Sequence, residues 1–155
     1  MPDPLKLVAT EIEDMQILSA ALEGLITSAG EMSYLRPARA FTVMGSRFRW
    51  EEPAAQDEDS KSWHRIRSGV YIGDVIAVKA SGISQQRPRE VLELLSLSTH
   101  VGEDMETEIT FNFAGGGTLR IKAECINVTL TDTGDAWKTD HRPTHETAPL
   151  ADQDN

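Results

Sequence analysis

The stretch ITFNFAGGGTLRIKAEC, residues 109–125, decides the fold. Ile109, Phe111 and Phe113 alternate with Thr110 and Asn112; after Ala114-Gly115-Gly116-Gly117, Leu119, Ile121, Ala123 and Cys125 alternate with Arg120, Lys122 and Glu124. A period of two with apolar residues on one parity is the mark of a strand with one buried face. Three glycines between two such runs turn the chain, so the segment is a β-hairpin. A phosphate loop would lead into a helix N-terminus, and here a strand follows. Beyond Cys125 the apolar parity shifts to Ile126, Val128 and Leu130, which predicts a bulge or bend at Cys125-Ile126.

Upstream, the same reading yields further strands. Trp63–Ile72 and Val75–Ser81 are separated by Gly73-Asp74, and residues 31–36 form a short strand before Pro37, a residue of edges and turns. Residues 40–50 form a longer strand, with Phe41 and Val43 on one face and Met44, Phe48 and Trp50 on the other; a bulge at Gly45-Ser46 accounts for the switch. Val91–Thr99 is ambiguous in period and is taken as a strand. Leu5–Ala9 is a short first strand. Residues 51–62 (EEPAAQDEDSKS) and 82–89 are polar loops.

One segment has a different period. Ile12, Met15, Leu18, Leu22 and Leu25 recur every three or four residues, and Thr10-Glu11-Ile12-Glu13 has the form of a capping box. A helix is expected from about Glu11 to Glu23, ending near Gly24. The fold class is therefore α+β. About seven antiparallel strands in a meander form a strongly bent sheet or partly open barrel, with one N-terminal helix. A pleckstrin-homology-like arrangement fits the strand count, although its helix would be C-terminal. Residues 1–146 form a single domain, and 147–155 form a disordered tail.

Composition narrows the function. The 155 residues carry 25 acidic and 15 basic side chains, a net charge of −10. That opposes binding to nucleic acid and to anionic membranes. One cysteine excludes an intrachain disulfide framework, and its place on an apolar strand parity makes Cys125 a buried structural residue. No apolar run approaches the ~20 residues of a membrane helix, and no secretory signal precedes the first strand. The expected setting is the cytoplasm. No nucleophile elbow and no convergent carboxylates are present, so no catalytic residue is assigned and no cofactor is expected.

The charge is uneven. Residues 36–89 hold ten bases and six acids, five of the acids lying between Glu51 and Asp59. Within this basic middle, Arg47 and Arg49 lie two apart on one strand, and Arg65 and Arg67 on the next. If the two strands form a hairpin in suitable register, four guanidiniums share one sheet face. Like charges directly opposite each other need an anion, and the guanidinium fork binds carboxylate or phosphate in a bidentate way. The functional expectation is a ligand-binding face for an acidic protein or an anionic small molecule. The plainer reading is that carboxylates of this chain already neutralise these arginines.

His141, His145 and Glu146 are the weak metal candidates, but Pro143 prevents a helix-borne pair and no third ligand lies at fixed spacing. A binding module ranks first, a homo-oligomeric assembly subunit second and a small metal-dependent enzyme third.

Several segments together carry a family resemblance: LKLVATEIEDMQILSAALEG (5–24), SRFRWE (46–51), RIRSGV (65–70), ITFNFAGGGTLRIKAECINVTLTD (109–132) and GDAWKTDHRPTHE (134–146). In combination they resemble the domain-of-unknown-function family 2948 of alphaproteobacteria. One departure is Gly45-Ser46 before Arg47, where the family pattern suggests an asparagine. The resemblance implies a bacterial source and a cytosolic setting, and it transfers no activity or catalytic residue.

Overall fold

In a computed structural model the described residues are 5–49, 63–134 and 137–139. In chain order they form β1 (Lys6–Ala9), α1 (Ile12–Leu22), β2 (Ile26–Thr27), β3 (Met32–Leu35), β4 (Ala40–Phe48), β5 (Trp63–Ile72), β6 (Val75–Ser81), β7 (Leu92–Val101), β8 (Thr107–Phe113), β9 (Thr118–Ala123), β10 (Val128–Asp132) and β11 (Trp137–Thr139). The α+β class and the antiparallel pairing agree with the sequence reading. The acidic segment 51–62, the tail 147–155, His141, His145 and Glu146 lie outside the described residues.

The deciding hairpin is β8–β9, with Ile109 opposite Ile121 and Phe111 opposite Leu119, all buried. Its turn needs glycine: Gly115 and Gly116 have φ of 87° and 95°, a region that L side chains rarely adopt. Of the ambiguous residues 91–99, all but Val91 are strand, within β7 (Leu92–Val101). The parity shift after Cys125 is a bend: β9 ends at Ala123, and β10 begins at Val128 on other partners, β1 and β5.

The meander is not simple. The strand order is β1-β10-β5-β4-β2-β7-β8-β9-β6, with β3 on β4 and β11 on β5. Consecutive strands β5 and β6 thus lie far apart in the sheet, because the chain turns at Gly73-Asp74, where Asp74 takes φ 57°. The sheet is not closed into a barrel: its last strand, β6, forms no ladder with β3. A pleckstrin-homology arrangement is therefore not established.

Helix α1 starts one residue later than the capping box predicts. The Asp14 carboxylate, rather than Glu13, accepts hydrogen bonds from the backbone N–H groups of Thr10 and Glu11, at 3.0 and 3.1 Å. Met15, Leu18 and Leu22 face inward and join Val43, Val70, Leu94, Phe111 and Ile121 in one core. Leu25 leads into β2, whose Ile26 pairs with both Ser46 of β4 and Glu93 of β7. This short strand links the two parts of the sheet.

The predicted bulge at Gly45-Ser46 does not form. Strand β4 pairs with β5 without interruption from Phe41↔Ile72 to Phe48↔Arg65. Gly45 serves a different need. A Cβ there would lie 2.4 Å from the Ile26 carbonyl oxygen, so the glycine lets β2 cross closely. Both parities are buried near the end of β4 because chain covers both faces there, which is why the sequence mimicked a bulge.

Candidate functional site

The register decides the fate of the four arginines. Directly opposed residues share a face, and Arg47 lies opposite Ile66, while Phe48 lies opposite Arg65 and Ser46 opposite Arg67. Arg47 and, by alternation, Arg49 are on one face; Arg65 and Arg67 are on the other. The expected common face of four guanidiniums is not formed, since the hairpin is offset by one residue.

Arg47 lies on the parity of Phe41 and Val43, which points into the molecule, and it has no solvent exposure. Its Nε and Nη2 donate to the two oxygens of Asp132, each at 2.8 Å, and Nη1 donates to the Phe48 carbonyl at 3.0 Å. Asp132 enters this layer because it pairs with Ser68, whose hydroxyl donates to Oδ1 at 2.6 Å. The result is a bidentate ion pair joining β4, β5 and β10. Such a charge is well satisfied and out of reach of a ligand.

Arg65 is 8% exposed, with its guanidinium carbon 3.8 Å from the Phe48 ring centre. It donates to the Ser46 carbonyl at 2.9 Å and to the Gly24 carbonyl at 3.5 Å. Gly24 follows α1, whose last turn has no basic residue. Arg65 thus brings a cation to the negative end of the helix. Burial pulls its pKa down to about 10, with the Glu93 carboxylate acting in the opposite direction, so it stays charged at neutral pH. Arg67 is part-exposed and pairs with Glu31. Arg49 is half-buried beyond the end of β4, and its backbone N–H donates to the His64 carbonyl at 2.9 Å. For Arg47 and Arg67 the plainer reading holds among the described residues, through Asp132 and Glu31.

Cys125 also departs from expectation. It lies in the bend after β9 and is exposed. Partial desolvation, and then its hydrogen bond with Asp74, push its thiol pKa up, the opposite of what a nucleophile needs. Among the described residues no three His, Cys, Asp or Glu side chains are grouped to hold a metal ion.

The sequence did not point to the groove where the sheet fails to close. It has a volume of about 440 Å³, within the range of small-molecule and peptide sites. Met32 and Tyr34 of β3 form one wall and Val78 and Ala80 of β6 the other; Phe41 and Leu119 lie at its base, and Ile83 and Pro88 form part of its rim. These are core-type side chains reached through an open seam. The groove has one ionised lining residue, Arg36, whose guanidinium carbon lies 5.0 Å from the Tyr34 ring centre. Stacking on Tyr34 holds a cation at the edge of an apolar surface. The one hint in the sequence was Pro37, which marked the strand before it as an edge.

Fold and groove together define a small α+β protein with an antiparallel sheet not closed into a barrel and a partly apolar opening at its seam that carries Arg36. Residues 5–145 match the family described as Protein of unknown function (DUF2948), and the chain belongs to that family. No curated protein and no solved structure matches this chain. No helix among the described residues is long and apolar enough to cross a membrane.

Proposed function

We propose that this protein is a non-catalytic binding module whose site is the seam groove, and that the groove takes a ligand with an apolar body and a negative group. The observation that carries this reading is Arg36, a cation in a groove whose other lining residues are uncharged and, apart from Gln85, largely apolar, in a chain of net charge −10. An apolar ligand gains by burial against Phe41 and Leu119, at roughly 25 cal/mol per Å². The guanidinium then selects the anion through charge-assisted hydrogen bonds. The ligand is thus anionic, as the basic middle of the sequence suggests, but its site is the groove and not a face shared by Arg47, Arg49, Arg65 and Arg67.

The test is thermal unfolding with two probes of equal chain length, decanoate and decylamine, below micelle formation. At ten times its Kd a ligand adds about 1.4 kcal/mol, a rise in Tm of roughly 3–5 °C for a domain of this size. Decanoate is expected to raise Tm by that amount, decylamine to have no such effect, and Arg36→Glu to abolish the decanoate response. Equal responses to both probes, or none to decanoate, would overturn the reading.

A second reading, as an assembly subunit, is favoured by an uncharged row across the outer face of the sheet. Val8, Thr129, Tyr71, Thr42 and Ser33 stand directly opposite one another through four ladders, with Val8 and Tyr71 exposed. Light scattering across concentration separates it from a monomeric binding module.

A further inference from the structure

The two walls of the groove are strands with an unused edge. Among the described residues β3 pairs only with β4, and β6 only with β9. The walls run in opposite directions. Past the end of β3, the Arg39 carbonyl accepts from the N–H of Val75, at the start of β6, at 2.9 Å, and the Tyr34 hydroxyl reaches the Ile76 carbonyl at 3.5 Å. Before the start of β3, the Gly30 N–H donates to the Pro88 carbonyl, in the loop after β6, at 2.9 Å. The slot is therefore bracketed at both ends and has strand edges along both sides.

We propose that the natural occupant of this groove is an extended, acidic peptide segment of a partner protein, which adds a strand at the seam. This rests on the reading of the groove as a binding site for an anionic ligand. A strand edge presents unpaired backbone donors and acceptors that a peptide can satisfy and an aliphatic chain cannot. Alternate side chains of the added strand point to one face, which directs every second residue toward Phe41 and Leu119. An inward acidic residue near the end of the slot meets Arg36. The outward residues meet a second cationic feature. On the outer face Lys79 stands directly opposite Arg120, an arrangement that costs stability unless an anion is near. Lys79 lies on the edge strand itself, so a carboxylate on the added strand would sit beside it. Its charge opposes uncontrolled edge pairing and favours an acidic partner.

The experiment is selection from a displayed library of random heptapeptides against the full chain. Enriched peptides are expected to alternate apolar residues with others and to carry Asp or Glu. A synthetic copy should slow amide hydrogen exchange in Val75–Ser81. Methylation of alternate backbone nitrogens in that copy should weaken binding at least tenfold, as should the double variant Arg36→Glu/Lys79→Glu. Equal binding of the methylated and unmethylated peptides, or no added protection in β6, would overturn strand addition, as would a free protein whose β6 edge is already buried in a dimer. If no peptide is enriched while decanoate still raises Tm, strand addition fails and the groove reading stands. If decanoate also has no effect, both fail.

Discussion

Arg47 shows how far one side chain's meaning depends on its register. In sequence it is one of four arginines in a basic stretch; in the molecule it is a buried half of an ion pair. Removing one partner of such a pair leaves the other charge in a poor environment, which typically costs 3–5 kcal/mol. Asp132→Ala is expected to destabilise the protein by that amount in urea unfolding. Replacing both groups, as Arg47→Met with Asp132→Leu, is expected to recover most of the loss, because apolar residues of similar size do not need desolvated charge compensated. A loss below about 1 kcal/mol for Asp132→Ala would refute the structural assignment of the pair. Arg36 had no such signal. An arginine before a proline reads as an ordinary turn residue, and only the stacking on Tyr34 beside an apolar groove gives it a role.

Among the elements, the strands were the most legible. Both β5 and β6 have the predicted bounds, and β8–β9 is the predicted hairpin, since alternation and glycine turns are local signals. The capping box was displaced by one residue because Thr10-x-x-Glu13 and Glu11-x-x-Asp14 overlap, and only the geometry of the first turn chooses between them. Gly45 was seen, but for the wrong reason. Its importance belongs to the link between β4 and β2. Gly45→Ala would push a methyl group against the backbone of Ile26, an overpacking cost of roughly 1–3 kcal/mol or more. Gly115→Ala meets no atom within 4 Å and bears only its positive φ, about 1 kcal/mol. Urea midpoints should rank Gly45→Ala as the less stable variant, with hydrogen exchange faster in β2. The reverse ranking would remove the close crossing as the reason for this glycine.

For the whole molecule, the division between the β10-β5-β4 and β7-β8-β9-β6 parts of the sheet does not divide the core. Leu18 and Leu22 of the helix belong to the same buried cluster as Val70 on one side and Ile121 on the other. Unfolding is therefore expected to be two-state. The slowest amide exchange of Val70 and of Ile121 should report the same free energy, matching that from circular dichroism in urea. Separate values would mean two independently stable units. The linear pattern of residues was sufficient for the α+β class, most strand positions and the N-terminal helix, because period and turn chemistry act over a few neighbouring residues. It was also sufficient for the family, whose motifs are themselves strings of residues. Strand order, the one-residue offset that separates the arginines, and the open seam were decided only by the tertiary structure, because each depends on which distant strands meet and in what register. A groove is made by strands that do not pair, and the failure of β3 and β6 to pair follows from the packing of the whole sheet around its core.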